Sequence, residues 1–340
     1  MNIVVLSGGL SDERDVSLSS GSQIANALIK NGHKVLLLDL YIGLKEVNNF
    51  EEAYKVYGET VYDYKVPKIA PNLEKLIEKN NGRRSEIGEN VISICKSADI
   101  VFLGLHGGIG ENGKLQAIFD LHNIKYTGSG YKGSLLAMDK IVSKEIMTVN
   151  NILTPEWSII DSENNNTIMA PAVVKPNDNG SSIGVKVAEN QDELKDAIEV
   201  AKQYASTILV EQKIEGREFS VGILGEEVLP IIELIPKEGF YDYSNKYQPG
   251  ATEEITPADI SRENTKRMQD IALNIFKKLG LEVYGRVDFI MDSNENIYCI
   301  EANSLPGMTP TSLLPQEAEA NGINYEQLCE KIVEHTLSKY

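Results

Sequence analysis

The sequence predicts a protein of mixed α and β structure, in which a parallel α/β domain is followed by an antiparallel α+β region. First, apolar runs at 3–6 and 34–40 enclose a helical stretch at 11–30, which is the strand–helix–strand order of a parallel unit. Second, the apolar runs between 172 and 234 follow one another closely, with one helical stretch among them. With 340 residues, of which 42% are hydrophobic and 24% charged, the chain is globular in composition and long enough for about two or three domains.

The N-terminal elements are predicted from their boundary residues. The first strand runs into Gly8-Gly9, and the first helix is expected to end at Asn31-Gly32, a common helix stop. The stretch 41–95 is rich in Tyr, Lys and Glu, and we expect helices there, a turn at 80–82 and little chemistry. The next predicted elements are a strand at 100–105, a helix at 114–122 and a short strand at 124–126.

The pattern changes after 128–130, a Gly-Ser-Gly segment that we interpret as a domain boundary. A helix is predicted up to about Asn150, and the stretch 238–256 has no clean periodicity, which is typical of a long functional loop. The strands 286–292 and 297–302 are predicted to form a hairpin. The remaining predicted elements are strands at 172–175, 183–187, 208–211, 219–224 and 228–234 and helices at 191–204 and 261–279.

The charge of the chain argues against two classes of partner. The 33 basic and 50 acidic side chains give a net charge of −17, whereas duplex nucleic acids and anionic membranes attract basic surfaces. No apolar run reaches the roughly 20 residues that span a bilayer, and the first residues lack signal-peptide character. The 3 cysteines are far apart, which indicates a reducing compartment, so we expect a cytoplasmic protein.

Acidic and amide side chains lie on the two hairpin strands. Glu301 and Asn303 are two residues apart and therefore share one face, while Asp288 lies on the partner strand. Oxygen ligands of this kind are those that Mg²⁺ takes in proteins. The alternative is a solvated acidic face in an acidic protein, and these residues alone leave both interpretations open.

A glycine-rich loop at 176–184 follows the predicted strand that ends at Lys175. Its small residues would let backbone N–H groups approach phosphate oxygens, and the lysine would add a positive charge. The loop lacks the spacing of a Walker A motif, and a simple glycine hairpin is the alternative.

Glu13 and His106 stand at the ends of predicted elements. Glu13 lies near the start of the first helix, where the helix dipole favours an acid, so a capping role is the alternative to a functional one. His106 follows a parallel strand at its carboxyl end, the usual place for ligand contact, although a lone histidine is more often structural. The first domain has no G-x-G-x-x-G and therefore no dinucleotide fingerprint.

These features occur together in one family. The sequence resembles the D-alanine–D-alanine ligases of the ATP-grasp superfamily from Gly8 to about Leu328, with the stretch 41–95 unsupported. The matching segments are GGLSDERDVSLSSG from Gly8, LHGGIGENGKLQ from Leu105, YTGSG from Tyr126, MDKIVSK from Met138, VVKPNDNGSSIGV from Val173, EGREFSV from Glu215, YDYSNKY from Tyr241, GRVDF from Gly285 and EANSLPGMTPTSLLP from Glu301. Several segments in one order are far more specific than any one of them alone.

The resemblance implies an ATP-grasp fold. A Rossmann-like α/β domain for substrate binding would occupy 1–128, and two antiparallel α+β subdomains at 129–211 and 212–340 would enclose the nucleotide. The implied enzyme joins two D-alanine molecules for peptidoglycan precursor synthesis. One D-alanine carboxylate attacks the γ-phosphate of ATP, and the amine of the second D-alanine then displaces phosphate from the acyl phosphate. Phosphorylation is required because a free carboxylate is a poor acylating agent.

The resemblance also implies a set of nucleotide and metal ligands. They are Lys140 and Lys175 for the phosphates, Ser182 in the loop that closes over them, Glu211, Gln212, Lys213 and Ile214 for adenine, Glu218 for the ribose, and Asp288, Glu301 and Asn303 for two Mg²⁺ ions, with Mn²⁺ as a substitute.

The implied substrate residues come from all parts of the chain. They are Glu13 for the ammonium of the first D-alanine, His106 beside it, Lys246 and Ser312 for the carboxylate of the second, Leu313 for its methyl group, and Arg286 with the Gly307 N–H for the tetrahedral oxyanion. Ser181, Tyr247 and Glu13 would form a hydrogen-bonded lock, and the loop 238–256 would be a lid that excludes water. The implied partners are D-alanine and a second copy of the chain in a homodimer.

Two positions depart from the family pattern, and two alternatives remain open. Asn112 stands where the family usually has Asp, so we expect a local change in hydrogen bonding, and Ser304 stands where Thr or Pro is more frequent. One alternative is a ligase that takes D-serine or D-lactate as its second substrate, against which Tyr247 counts. The other is a nucleotide-binding regulatory module without catalysis, against which the complete set of implied catalytic residues counts.

Overall fold

The N-terminal part of the chain contains the predicted parallel sheet. The computed structural model describes residues 1–67, 71–178, 180, 184–237 and 251–340. Strands β1 (Asn2–Ser7), β2 (Lys34–Asp39) and β3 (Ile100–Leu103) pair in parallel in the order β2-β1-β3. β1 is central and buried almost throughout, so its apolar side chains do not alternate with polar ones, as is typical of parallel strands. The predicted parallel α/β unit is confirmed.

Helices surround this sheet and occupy the stretch 41–95, as predicted. They are α1 (Arg14–Lys30), α2 (Phe50–Tyr57), α3 (Leu73–Lys79), α4 (Val91–Lys96) and α5 (Lys114–Leu121). The predicted turn at 80–82 is confirmed, since Asn81 and Gly82 have φ angles of 58° and 72°.

The short strand predicted at 124–126 is wrong. The chain makes a single parallel bridge there, between Tyr126 and Val101. Beyond the bridge, the Thr127 hydroxyl oxygen accepts the Leu103 N–H (3.0 Å). A side chain thus takes the place of the next ladder bond, and the strand does not extend.

The helix predicted up to Asn150 is two helices, α6 (Tyr131–Met138) and α7 (Lys140–Val149). Between them, Asp139 has extended backbone angles (φ −80°, ψ 99°), and its carboxylate caps α7 by accepting the Val142 N–H (3.0 Å). The Asn177 side chain accepts the Ile141 N–H (3.0 Å). The break therefore places Lys140 at the first position of α7, next to the loop that follows Lys175.

The middle of the chain forms an antiparallel sheet in the order β4-β7-β5-β6. Its strands are β4 (Trp157–Ile160), β5 (Ala172–Pro176), β6 (Lys186–Ala188) and β7 (Ile208–Gln212), and α8 (Gln191–Ala201) shares their hydrophobic core. The sequence analysis missed β4, because its four residues give too short an apolar run. Of the strand predicted at 183–187, residue 183 lies outside the described residues, and β6 begins at Lys186.

The C-terminal sheet is antiparallel in the order β11-β10-β8-β12-β13, with β9 paired to β8. Its strands are β8 (Arg217–Leu224), β9 (Glu227–Val228), β10 (Ile232–Pro236), β11 (Thr252–Ile255), β12 (Tyr284–Met291) and β13 (Ile297–Asn303). The helices of this part are α9 (Arg262–Lys278), α10 (Leu313–Ala320) and α11 (Tyr325–Leu337). The predicted α+β region and the hairpin of β12 and β13 are confirmed.

Two predictions in this region are corrected. The strand predicted at 228–234 is interrupted between β9 and β10, where Pro230 has no N–H to donate to a ladder. The loop predicted at 238–256 ends in a strand, since β11 pairs with β10. Residues 238–250 of that loop lie outside the described residues.

The last helix packs on the N-terminal part. Leu328 and Ile332 of α11 belong to the same hydrophobic core as Ile24 and Leu28 of α1. Outside this core, Lys30 pairs with Glu326 (2.6 Å). The predicted domain boundaries after 128 and after 211 stay predictions. None of the helices in the described residues combines the length and apolar character needed to cross a membrane.

Candidate active site

One cleft, about 1610 Å³ in volume, is lined by residues from all three sheet regions. It collects each predicted site residue that the structure describes, namely Glu13, His106, Lys140, Lys175, Glu211, Gln212, Lys213, Ile214, Glu218, Arg286, Asp288, Glu301, Asn303, Gly307, Ser312 and Leu313. Ser181, Ser182, Lys246 and Tyr247 lie outside the described residues, and their roles remain predictions.

One face of the C-terminal sheet carries a row of polar side chains. On β12, Asp288 lies opposite Glu301 of β13 and Ser220 of β8, and Arg286 lies opposite Asn303. Directly opposite residues share a face, and so do residues two apart on one strand. These five side chains, Ser220, Arg286, Asp288, Glu301 and Asn303, form what we call the polar row.

The centre of the polar row is an ion pair between Arg286 and Asp288. The Arg286 guanidinium donates to both Asp288 oxygens, at 2.9 and 2.8 Å. Asp288 also accepts hydrogen bonds from the Ser220 hydroxyl (2.8 Å) and the Asn303 amide nitrogen (3.0 Å). The arginine that the family resemblance assigns to an oxyanion and the aspartate that it assigns to a metal therefore form an ion pair with each other in this structure.

The donor atoms of the polar row fit a hard divalent cation. In the part of the chain that the structure describes, no three His, Cys, Asp or Glu side chains are grouped to hold a metal. The candidate set instead combines the carboxylates of Asp288 and Glu301 with the amide of Asn303, whose nitrogen is turned to Asp288. A small number of oxygen ligands from the protein is sufficient for Mg²⁺, because this ion usually keeps several waters or phosphate oxygens in its coordination sphere.

A second charged group is buried behind the cleft. The Glu211 carboxylate pairs with the ammonium groups of both Lys144 and Lys175, and the Lys144 and Glu211 side chains are only 1% and 2% exposed. Burial raises the pKa of Glu211, but the two lysines more than offset this and lower it. Burial likewise lowers the pKa of Lys175, but Glu211 and Glu301 outweigh it, so that pKa is raised.

This triad changes the role of one predicted residue and adds another. The resemblance implies that Glu211 contacts adenine, yet its carboxylate pairs with two lysines, so only the backbone from Glu211 to Ile214 is left for that predicted contact. Lys144 was missed, although it lies in the MDKIVSK segment. Burial lowers the pKa of Lys144, and its ammonium also donates to the Thr154 hydroxyl (2.5 Å). The sequence offers no periodic signal for a lysine that is buried only because an acid on another element neutralises it.

Glu13 and His106 lie together on the N-terminal side of the cleft. Glu13 is buried at the N-cap position of α1, as the capping alternative expects, but its side chain makes no capping hydrogen bond to the helix. His106 is buried, and its Nε2 is 2.9 Å from the Ser20 hydroxyl. Burial and the Arg286 guanidinium lower the pKa of His106 to about 4, so the imidazole is neutral at neutral pH.

Glu111 is a cleft residue that the sequence analysis did not identify. Its side chain is 18% exposed, and Oε1 lies 3.9 Å from His106 Nδ1. Burial, followed by the charge of Glu13, raises the pKa of Glu111 to about 8, although the Gly107 N–H and Lys140 act in the opposite direction. Two acids thus share this end of the cleft, and the sequence could not show that Glu111 faces Glu13.

The variant Glu111→Gln is expected to flatten the pH dependence of stability. The pKa of Glu111 in the folded state is raised above the ordinary 4.5. Protonated Glu111 therefore contributes to the free energy of unfolding in full below about pH 4.5, and this contribution is lost as the pH rises through 8. We expect the Tm of the wild type to fall relative to the variant by at least about 2 °C between about pH 6 and about pH 9. Scanning calorimetry measures this, with Glu89→Gln, an exposed acid, as control. Parallel Tm curves for wild type and Glu111→Gln would contradict the pKa assignment.

The other end of the cleft is formed by the turn before α10. The Ser312 hydroxyl oxygen accepts the Thr309 N–H (3.1 Å) and contacts the Thr309 hydroxyl (2.8 Å). A Cβ on Gly307 would lie 2.8 Å from the Ser312 hydroxyl, so only glycine lets the backbone approach so closely. Leu313 is buried with Ile232 and Leu234.

The stretch 41–95 also contributes to the cleft wall. Val66, Pro67 and Pro71 line the cleft, as does Asp15, whose carboxylate accepts a hydrogen bond from the Tyr64 hydroxyl. We expected this stretch to carry little chemistry and did not predict that it lines the cleft. Residues 68–70 lie outside the described residues.

The two departures from the family pattern are at or near the cleft. The Asn112 side chain accepts the Lys114 N–H (3.2 Å) at the start of α5. Ser304 is buried and lines the cleft directly after Asn303. Neither side chain takes a place in the polar row.

Two family profiles together match most of the chain. The profile described as D-ala D-ala ligase N-terminus matches residues 2–129, and the one described as D-ala D-ala ligase C-terminus matches residues 145–334.

Named relatives match the chain over nearly its whole length. A D-alanine–D-alanine ligase of Pediococcus pentosaceus is 45% identical and aligns over 98% of this chain and 97% of its own. A crystal structure of D-alanine–D-alanine ligase from Bacillus anthracis complexed with ATP is 29% identical, with a TM-score of 0.75 over 100% of this chain and 98% of its own. A D-Ala:D-Ser ligase from Enterococcus faecalis is 26% identical, with a TM-score of 0.75 over 98% of each chain.

Proposed function

The chain belongs to the D-alanine–D-alanine ligase family, and from this premise we propose that it joins two D-alanine molecules to D-alanyl-D-alanine while converting ATP to ADP and phosphate. The observation that carries the proposal is one cleft in which Glu13, the lysines Lys140 and Lys175, and the Arg286–Asp288 pair come together. The product is a building block for peptidoglycan precursor synthesis.

The reaction has two steps, and both require negative charge to be neutralised. In the first, a carboxylate oxygen of one D-alanine bonds to the γ-phosphorus of ATP, and ADP leaves with the bridging oxygen. In the second, the amine of the other D-alanine bonds to the acyl carbon, phosphate leaves, and the new amide nitrogen loses its proton. Positioning and electrostatic stabilisation, with no covalent enzyme intermediate, supply the catalysis.

Cationic side chains of the central region bind the nucleotide phosphates. Glu211 pairs with both Lys175 and Lys144. Because Glu211 holds Lys175, the Lys175 ammonium group is already in position when ATP binds. Lys140 lies at the first position of α7. The family resemblance implies that the loop 180–184 closes over the phosphates. The backbone of Glu211, Gln212, Lys213 and Ile214 faces adenine, and Glu218 binds the ribose hydroxyls.

Asp288, Glu301 and Asn303 would hold Mg²⁺, with Mn²⁺ as a substitute and two ions expected from the family resemblance. When bound, the ions neutralise the phosphate oxygens that the D-alanine carboxylate must approach. What this chain contributes is a set of oxygen ligands on adjacent strands, kept in register by the ladder of β12 and β13.

The first D-alanine binds at the N-terminal end of the cleft. The Glu13 carboxylate accepts the ammonium group, and His106 lies beside it as a neutral imidazole that does not repel the substrate cation. Ser181 and Tyr247 complete the lock with Glu13, and the lid at 238–256 keeps water from the acyl phosphate. These last roles depend on the resemblance, since Ser181 and Tyr247 lie outside the described residues.

The second D-alanine binds at the turn before α10. Lys246 and Ser312 bind its carboxylate, and Leu313 contacts its methyl group. Arg286 and the Gly307 N–H stabilise the tetrahedral oxyanion, for which each donor contributes about 3 to 4 kcal/mol at typical oxyanion sites. We also propose that the protein forms a homodimer and is located in the cytoplasm.

A ligase with D-serine as acceptor is the second candidate, since one relative carries that name. The D-alanine–D-alanine ligase of Pediococcus pentosaceus is much more similar, at 45% against 26% identity, which favours the dipeptide with D-alanine in both positions. The deciding side chains, Lys246 and Tyr247, are not among the described residues.

An acceptor competition tests the proposed function. We expect D-alanyl-D-alanine as the dominant product at neutral pH when D-alanine, D-serine and D-lactate are supplied together with ATP and Mg²⁺. Mass spectrometry of the products measures the ratio, and a reaction without ATP is the control. Dominant D-alanyl-D-serine or D-alanyl-D-lactate would contradict the proposed acceptor, and absence of any ligated product would contradict the function.

A further inference from the structure

Lys144 is a buried lysine to which the proposed chemistry gives no role. It lies on α7 one turn after Lys140, so the two residues are on the same side of the helix. Lys140 lines the cleft, whereas the Lys144 side chain is only 1% exposed and is too deeply buried to contact a nucleotide. A buried ammonium group is costly to keep, so its position calls for an explanation.

Lys144 shares one carboxylate with the lysine that is proposed to bind phosphate. The Lys144 ammonium group pairs with Oε1 of Glu211, and the Lys175 ammonium group pairs with Oε2. Glu211 lies opposite Val173 in the ladder of β5 and β7, and Lys175 is two residues after Val173. The side chains of Glu211 and Lys175 therefore share one face of the sheet, and Lys144 reaches them from α7. Each carboxylate oxygen thus has its own lysine.

The group of Lys144, Lys175 and Glu211 has one positive charge in excess. Burial raises the pKa of Glu211, but the charges of the two lysines outweigh this and lower it, so the carboxylate is ionised at neutral pH. Lys175 presents the excess charge to the cleft, which its side chain lines with 12% exposure. If Lys175 were the partner of Glu211 without Lys144, the two charges would cancel. Glu218 and Glu301 add further negative charge near Lys175.

We propose that Lys144 is a positioning residue that balances the charge of Glu211, so that Lys175 keeps a net positive charge for the nucleotide phosphates. Glu211 fixes Lys175 through one oxygen, and Lys144 pairs with the other oxygen from the buried side. Solvent screens charges little in a buried site, so the excess charge acts on a phosphate group in the cleft. The inference rests on the proposed function in one respect, that Lys175 binds phosphate.

Lys144 also connects α7 to the C-terminal sheet, and this contact is separable from its charge. The Lys144 ammonium group donates to the Thr154 hydroxyl (2.5 Å), which in turn donates to the Cys299 carbonyl oxygen of β13 (2.9 Å). Thr154→Val removes both hydrogen bonds and leaves the charge of Lys144 in place. This variant is therefore the matched control for a structural effect.

The experiment compares the binding of ADP with that of adenosine, which has no phosphate, in the wild type, Lys144→Met and Thr154→Val. Displacement of a bound fluorescent ADP analogue at one Mg²⁺ concentration gives the dissociation constants, and circular dichroism checks the folding of each variant. We expect Lys144→Met to weaken ADP binding by about 10-fold, within the range of coupling between neighbouring charged groups. Adenosine binding by Lys144→Met, and the binding of both ligands by Thr154→Val, should change by less than about twofold.

A second neutral variant keeps the proposal testable if Lys144→Met does not fold. Lys144→Gln has no charge but can still hydrogen-bond to Glu211 and Thr154, and it should weaken ADP binding to the same extent. Unchanged ADP binding in the neutral variants would overturn the proposal. Equal weakening of ADP and adenosine binding, or an equal loss of ADP binding in Thr154→Val, would make Lys144 a structural residue only. Absence of ADP binding by the wild type would contradict the nucleotide site of the proposed function, and this inference with it.

Discussion

The variant Arg286→Met is expected to lower kcat by about 10²- to 10³-fold, the usual effect of removing a donor from an oxyanion site. Arg286 is aligned by two hydrogen bonds to Asp288, so its guanidinium is preorganised before substrate binds. Because the oxyanion develops only as the amine adds to the acyl carbon and is not present in the bound substrates, kcat and kcat/KM should fall together. D-alanine-dependent release of phosphate from ATP measures both constants.

Two further variants define the cause of this loss. Arg286→Lys keeps the charge but not the planar fork, and we expect an activity between those of the wild type and Arg286→Met. Arg84→Met is the control, because Arg84 pairs with Glu74 on the surface (3.0 Å) and should leave kcat unchanged. A kcat for Arg286→Met within about threefold of the wild type would contradict the oxyanion role.

The variant Glu211→Gln is expected to lower the free energy of unfolding by about 3 to 5 kcal/mol, the usual cost of removing one partner from a buried ion pair. Glu211 pairs with Lys144 and Lys175 where little solvent reaches, so the neutral amide would leave the buried Lys144 ammonium without its carboxylate partner and would remove the ion-pair partner of Lys175. Denaturant unfolding followed by circular dichroism measures the change. Affinity for ATP should fall as well, since Lys175 loses the group that holds it.

Removal of one of the two lysine charges should restore part of this stability. We expect the double variant Lys144→Met/Glu211→Gln to be more stable than Glu211→Gln alone, because neighbouring substitutions in one network are not additive. Glu199→Gln is the control, since Glu199 pairs with Lys202 on the surface (2.8 Å), where an ion pair contributes at most about 1 kcal/mol. Equal stability of Glu211→Gln and the wild type would contradict the triad.

The architecture was predictable where periodicity and burial coincide. β1 and β2 are uninterrupted apolar runs, so their parallel pairing follows from the strand–helix–strand order around α1. The elements that were missed carry no such pattern. β4 is too short, and the break at Asp139 depends on the side chain of Asn177, which is distant in sequence.

The candidate site was predictable where spacing along one strand decides which face a side chain takes. Glu301 and Asn303 are two residues apart, and the structure places both in the polar row beside Asp288. Arg286 and Asp288 have the same spacing on β12, but the resemblance gave them separate roles, and the structure shows that they pair with each other.

Buried charged groups were the hardest to predict. Lys144, Glu111 and Glu317 each acquire their surroundings from residues on other elements. Lys144 forms an ion pair with Glu211 of β7, and the charge of Glu13 raises the pKa of Glu111. Glu317 occupies the space that Gly222 leaves by having no side chain. Composition and periodicity describe one element at a time, so they cannot show such contacts.

The most direct test of the central claim follows the carboxylate oxygens of D-alanine. In the proposed reaction, one of these oxygens bonds to the γ-phosphorus and leaves with the phosphate when the amide forms. With D-alanine labelled by ¹⁸O in both carboxylate oxygens, ³¹P NMR of the released phosphate should show one ¹⁸O atom in each phosphate molecule. Phosphate free of ¹⁸O, formed together with the dipeptide, would contradict a D-alanyl phosphate intermediate.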